Sequence, residues 1–149
     1  VALESDHPDL EFLPYREDQL VLLAPLNGRF TNLHSVSFSE CLGVPFISLQ
    51  SGAALHTFLM NHASALGGRL DVRVQVSGFR AIARLVSSGA GIGIAPRSAL
   101  EAADLDHLQV IDLVEAWAKR DLRVCVQRNP REKNALRDNL IEILCQPSA

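Results

Sequence analysis

No apolar run in this 149-residue chain approaches the roughly 20 residues that a membrane-spanning helix needs. Nor does its start carry the charged and apolar regions of a signal peptide. Basic charge is not in excess: 14 Lys and Arg face 17 Asp and Glu, a net charge of −3 spread along the chain. That balance supplies no basic patch with which this segment would bind nucleic acid by itself. Cysteine is sparse and odd in number. Cys41, Cys125 and Cys145 are widely separated within apolar segments, which predicts buried free thiols in a reducing cytoplasm rather than disulfides or a metal site. What the chain does have is core-forming material: 48% of its residues are hydrophobic, enough for one domain or two small lobes. It begins at Val1 and its single methionine is Met60, so a fragment of a longer protein is expected.

The segment Val76–Ser98, VSGFRAIARLVSSGAGIGIAPRS, carries the most structural information. Phe79, Ile82, Leu85 and Val86 recur at offsets of three and four, which predicts a helix with one apolar face. Ser77 is placed to cap its first turn, and Gly89 to end it in the left-handed region. Gly91-Ile92-Gly93-Ile94-Ala95-Pro96 then reads as a strand packed on both faces and stopped by its proline. Ser98 with Glu101 forms an S-x-x-E capping box, predicted to open a further helix over Ser98–Ala103.

Upstream, Leu10–Tyr15 is a short apolar run expected to end at the polar Arg16-Glu17-Asp18. Leu20–Ala24 reads as a buried strand stopped by Pro25 and the turn formers Asn27-Gly28. Ser37 and Glu40 make another capping box, for a short helix ending at Gly43. Pro45–Leu49 is a strand and Gln50-Ser51-Gly52 a turn. Ala53–Leu66 is a helix with Leu55, Phe58, Leu59 and His62 near one face, closed by Gly67-Gly68. Leu70–Val76 alternates, so Leu70, Val72, Val74 and Val76 are expected to share one covered face. Downstream, Leu108–Leu113 and Leu122–Gln127 are strands. A last helix is predicted with Asn129 as N-cap, Pro130 in its first position and Glu132 in its third; its apolar stripe is Leu136, Leu140, Ile143 and Leu144. Alternation of strands and helices implies an α/β fold with a largely parallel sheet.

Most familiar chemistry is missing. GAGIGIAP holds three glycines, but it follows a helix and enters a strand, the reverse of a dinucleotide loop, and no Walker A motif occurs. His56 and His62 stand about 120° apart around a helix of 3.6 residues per turn, so they do not chelate one ion. His7, His34 and His107 lie in polar, loop-like contexts. Ser51 sits between a strand and a helix as a hydrolase nucleophile would, but G-x-S-x-G is absent. No catalytic constellation, metal site or cofactor is expected. One positive feature remains: the turns Gln50–Ala54 and Ser77–Phe79 each follow a strand and precede a helix. Ligands gather outside the carboxyl ends of strands in open sheets, and helix starts favour anions. Ser51, Gly52 and Ser77 are small enough for a ligand to reach the backbone. Ordinary capped turns are the other reading.

Taken in order, these pieces resemble the effector-binding domain of LysR-type transcriptional regulators. GIGIAP after its turn and helix is similar to that family's glycine-rich passage. REDQLVLLAP (Arg16–Pro25) looks like a strand crossing between lobes, and PFISLQSGAALHTFL (Pro45–Leu59) like the strand, loop and helix lining the effector cleft. The resemblance covers essentially the whole chain. It implies an α/β fold like type 2 periplasmic binding proteins: two lobes, two crossover strands and a cleft for a small molecule, with the first lobe incomplete here. Residues 1–25 would be a first-lobe remnant and crossover, 26–92 the second lobe, and 93–149 the second crossover and return. The DNA-binding winged helix would lie in a missing N-terminal region. Carried over residue by residue, the effector site falls on Gln50, Ser51, Gly52, Ala53, Ala54, Ser77, Gly78, Phe79 and Pro96, with hinges at Ala24, Pro25 and Ala95. The Ser77-Gly78-Phe79 turn departs from the family, where acidic or polar residues are frequent; Phe79 is either an aromatic cleft wall or a core residue.

Implied partners are a small carboxylate or aromatic acid, further copies in a homodimer or homotetramer, and DNA only through the missing region; no membrane is implied. A solute-binding protein of a transporter shares the fold and is the alternative. An enzyme on the same architecture would need a catalytic constellation. With part of the first lobe absent, the apolar faces of Leu10–Tyr15, Leu108–Leu113 and the last helix are expected to pack on another copy or on displaced segments of this chain.

Overall fold

Leu20–Ala24 is an unbroken apolar stretch, and a strand of that kind is satisfied only when both of its faces are covered. In the computed structural model, which describes residues 7–128 and 134–146, it forms the second half of a 16-residue strand, β1 (Leu10–Pro25). All of Leu20–Ala24 is buried. The polar Arg16-Glu17-Asp18 ends the apolar run but not the strand, and Arg16–Pro25 is extended throughout, as the resemblance implies. Arg16 and Glu17 point to solvent, and the Asp18 carboxylate is neutralised by Arg120 at 2.9 Å, so extended backbone continues through them.

The remaining elements are β2 (Ser35–Val36), β3 (Pro45–Leu49), α1 (Ala54–Ala65), β4 (Asp71–Val76), α2 (Phe79–Ser87), β5 (Ile92–Pro96), α3 (Ala102–Leu105), β6 (Leu108–Leu113), β7 (Lys119–Gln127) and α4 (Ala135–Cys145), with 3-10 turns at Phe38–Cys41, Arg97–Ala99 and Ala116–Ala118. The chain divides into two compact units at 18/19 and 119/120. The expected lobe boundaries at 25/26 and 92/93 both fall inside the larger unit, Gln19–Lys119.

In the larger unit the strand order is β2-β6-β1-β5-β3-β4. β3 runs parallel to β4 and β5, and β2 to β6, but β1 lies antiparallel to both β5 and β6. The sheet is mixed rather than largely parallel, because β1 enters it against the direction of the strands that flank it. Side chains alternate between its faces. Leu20, Leu22, Phe46, Ile92 and Ile94 meet Leu59 and Ala63 of α1 on one face, whereas Val21, Leu23, Ile47 and Ala95 meet Ile82, Ala83 and Val86 of α2 on the other. Each Leu, Ile or Val so enclosed contributes roughly 1.5–3 kcal/mol. On the first face Trp117 lies edge-on to Phe38 and Phe58, with ring centroids 5.4 and 5.3 Å away, and His62 is 5.0 Å from it.

The glycines of GIGIAP have a steric reason. A Cβ on Gly93 would lie 2.5 Å from Cγ2 of Ile82, and one on Gly91 2.4 Å from the carbonyl oxygen of Pro45. They let α2 and β3 close on β5. Gly89 ends α2 with φ +84°, and the N–H groups of Gly89 and Ala90 return to the carbonyls of Val86 and Leu85.

Local signals failed in identifiable ways. β4 does not keep one covered face. Phe46 pairs with Val72 and Ile47 with Val74, so Arg73 is an extra, bulged residue. Leu70 and Val72 therefore pack towards α1, Val76 packs towards α2, and Val74 is exposed. Ser77 does not cap α2; Gly78 holds the N-cap position with no side-chain bond. The Ser98–Glu101 box does not form a helix over Ser98–Ala103. Leu100 is extended and packs into the second core, and capping shifts one step on, to Glu101 and Asp104, whose carboxylate accepts from the Glu101 N–H at 2.9 Å. The Ser37–Glu40 box is realised on a 3-10 turn. Glu115 supports it from far along the chain, accepting from Ser37 Oγ at 3.0 Å and from the Phe38 N–H at 2.7 Å.

In the smaller unit β7 pairs with β1. Asn129, Pro130 and Glu132 lie outside the described residues; the described helix α4 is capped by Asn134, whose side chain accepts from the Arg137 N–H at 3.1 Å. Leu136, Leu140 and Ile143 of α4 are exposed, while Leu144 and Leu10, Phe12, Leu13 and Tyr15 are half-buried. Leu108–Leu113 departs from expectation: β6 lies between β1 and β2, and Leu108, Ile111 and Leu113 are buried within this chain, so no second copy is required to cover them.

All three cysteines are free, but only Cys41 is buried. Cys125 is exposed because the alternation of β7 places it on the outer face, and Cys145 is half-buried. Burial, then the neighbouring carboxylates of Glu115 and Glu40, push the Cys41 thiol up to about 12. In the native chain at mildly alkaline pH, iodoacetamide should label Cys125 rapidly and Cys41 only on unfolding, as read by mass spectrometry of tryptic peptides. Gly93→Ala should cost about 1–3 kcal/mol by overpacking against Ile82. The urea midpoint should fall at constant slope, and an unchanged midpoint would show that α2 does not need the gap.

Candidate functional site

The parallel register of β3 and β4 decides where the two expected ligand turns go. Leu49 pairs with Val76, so Gln50–Ala54 and Ser77–Phe79 leave neighbouring strands at the same edge of the sheet. The turns are also joined directly. The Gln50 N–H donates to the Val76 carbonyl at 3.1 Å, and the Gln75 amide donates to the Ser51 hydroxyl at 3.2 Å. From this edge the chain turns onto opposite faces of the sheet, into α1 after β3 and into α2 after β4. Adjacent strands whose following helices diverge in this way open a crevice at their carboxyl ends.

The corner is made of small groups. Gln50, Ser51 and Gly52 are exposed, and Gly52 has φ +102°, a conformation costly for other residues. Ala53 and Gly78 hold the N-cap positions of α1 and α2, and no side chain caps either helix. First-turn N–H groups of both helices are thus available to an anion or a polar guest. Phe79 is half-buried and packs against the second core. Pro96 is buried opposite Leu20 at the end of β5; because β5 is parallel to β3, it ends at the same edge as the two turns.

The three expected hinge residues are not brought together. Ala95 pairs with Val21 near the ligand-turn edge, whereas Ala24 and Pro25 pair with Gln109 and Leu108 towards the opposite end of the antiparallel β1.

Several polar groups next to the corner escaped the sequence reading. Gln75 alternates with the apolar residues of β4 and by itself gives no sign of its bond to Ser51. Ser48 stands within the apolar run PFISL, is 3% exposed, and meets Nδ1 of His56 at 2.8 Å. A lone serine in such a run was the available signal, because a buried hydroxyl needs a partner. His56 is half-buried, and His62 is engaged elsewhere, with Nδ1 2.9 Å from the Phe58 carbonyl. Among the described residues no three His, Cys, Asp or Glu side chains are grouped to hold a metal ion, and no helix is long and apolar enough to cross a membrane.

The chain is 23% identical over 92% of its length to a probable RuBisCO transcriptional regulator of Synechocystis sp., covering 41% of that protein. It is 27% identical to the probable RuBisCO transcriptional regulator of Nostoc sp. over 61% of this chain and 28% of the relative. It thus spans less than half the length of these curated relatives. Among solved structures, the regulatory domain of CcmR from Synechocystis PCC6803 in complex with 2-PG superposes with a TM-score of 0.79, at 18% identity, over 97% of this chain and 70% of that one. The effector-binding domain of QuiR in complex with shikimate gives 0.74 at 19% identity, over 95% and 68%. At these identities the structures show the fold, the mixed α/β architecture of LysR effector-binding domains and so of type 2 periplasmic binding proteins. The LysR substrate binding domain family matches residues 1–144, and the chain belongs to that family.

Proposed function

We propose that this chain is the ligand-sensing portion of a cytoplasmic LysR-type transcriptional regulator, and that a small carboxylate or aromatic acid binds at Gln50–Ala54 and Ser77–Phe79 beside Pro96. The observation that carries the reading is the placement of both turns at one edge of the sheet, on adjacent strands whose helices diverge. The relatives support the class of function: two are named as transcriptional regulators, and two structural neighbours were solved with shikimate and with 2-PG. The corner suits such guests because uncapped helix starts attract negative charge and Ser51 adds a hydroxyl that Gln75 holds in place. DNA contact belongs, on this reading, to a separate segment of the whole protein, which acts as a homodimer or homotetramer. Ala24, Pro25 and Ala95 are its hinge candidates, and closure around the ligand is the step that changes subunit packing.

A thermal-shift screen of small carboxylates and aromatic acids, with shikimate and 2-PG included, tests this. A true ligand should raise Tm with concentration, by the equivalent of about 2.7 kcal/mol at 100 times its Kd. Ser51→Phe, which fills the exposed corner, should abolish the shift and leave the Tm without ligand unchanged. Stabilisation that persists in Ser51→Phe, or a screen in which nothing stabilises the protein, would remove the corner from the mechanism.

A further inference from the structure

The candidate corner suits an acid, yet Gln50–Ala54, Ser77–Phe79 and Pro96 include no charged residue. Helix starts supply only partial charge, equivalent to about half a unit each. A full positive charge must come from outside these turns, and the chain puts an arginine directly after two of their members: Arg80 follows Phe79 and Arg97 follows Pro96. We propose that Arg97 is the residue that reads an acid group on the effector, and that Asp112 holds it in reserve until the acid takes that carboxylate's place. This inference rests on the corner being the effector site.

Strand register puts Arg97 beside the corner. In the parallel pair β3 and β5, Phe46 stands opposite Ile92 and Ile47 opposite Gly93. The same offset brings Gln50 level with Pro96 and Ser51 level with Arg97. Neighbouring strands lie roughly 4.8 Å apart, a gap that an arginine side chain spans easily.

Its guanidinium is nevertheless directed elsewhere. A terminal nitrogen of Arg97 forms an ion pair with Asp112 of β6, and β1 lies between β5 and β6. The contact therefore carries the positive charge across β1, away from β3 and the Ser51 turn. Nothing fixes it there firmly. Both side chains are about half exposed, at 50% and 48%, and solvated pairs of this kind contribute little to stability. An acid at the corner would offer the arginine an equivalent partner, with bidentate geometry that suits a guanidinium. Arg80 is less free to change partner. It lies 2.9 Å from Glu101, and Glu101 belongs to the capping box that opens α3, so breaking that pair disturbs a helix.

The test is a double-mutant cycle on the whole chain, read as dissociation constants from amide NMR titrations with phenylacetate and with malonate, each beside its neutral amide. Arg97→Gln should weaken both acids by about tenfold. Asp112→Asn, which releases the arginine, should tighten them by about threefold, a change of sign that damage to the fold would not produce. In the Arg97→Gln background Asp112→Asn should lose its effect, and the neutral amides should respond to neither substitution. Unchanged acid affinity in Arg97→Gln would overturn the proposal. So would equal tightening by Asp112→Asn with and without Arg97, the signature of a removed negative charge alone. In both cases acid binding that Ser51→Phe abolishes would leave the corner standing as the effector site. Coupling between Arg97 and Asp112 that survives in Ser51→Phe would remove Arg97 from the corner. Failure of both acids to bind the native chain and Asp112→Asn by about 10 mM would overturn the corner and the arginine together.

Discussion

The fold depends on the requirement that the inner half of β1 be covered on both faces. Leu20, Leu22 and Ala24 face one way and Val21 and Leu23 the other, and all are buried. One helix cannot cover both sides of a sheet, so α1 and α2 must lie on opposite faces. β3 and β4 feed those two helices and are neighbours in the sheet. The chain therefore leaves adjacent strand ends in opposite directions, and a crevice opens between them. The candidate ligand corner is thus a by-product of how the core is closed, and its small residues keep it from being filled.

Signals that two levels of structure supported were legible in the sequence. The strands Pro45–Leu49 and Leu108–Leu113, the helix after Gly78 and the glycine-rich strand were all correctly placed, because periodicity and punctuating residues agreed with the tertiary packing. The steric need for Gly93 could not be read in advance, since Ile82 meets it only in three dimensions. Strand direction was not legible either: β1 runs antiparallel to neighbours that sit about 70–90 residues along, and composition does not encode orientation.

Where local rules competed, tertiary contacts decided. Two overlapping capping patterns share Glu101, and the later one forms, with half-buried Leu100 extended and packed against the second core. One added residue at Arg73 moved Val76 to the opposite face from Val72, because side chains in a strand have a period of two. For the site, both turns were placed in advance, but Gln75 and the Ser48–His56 pair were not. Their importance comes from a neighbouring strand or helix rather than from their own segment.

The aromatic contacts around Trp117 have an optical consequence. Trp117 is the chain's sole indole, half-buried, with Phe58 and His62 of α1 against its ring. The indole's surroundings therefore include α1 as well as Phe38, and α1 is the helix that begins at the Ser51 corner. Ultraviolet fluorescence thus gives a label-free gauge of that helix in its native surroundings.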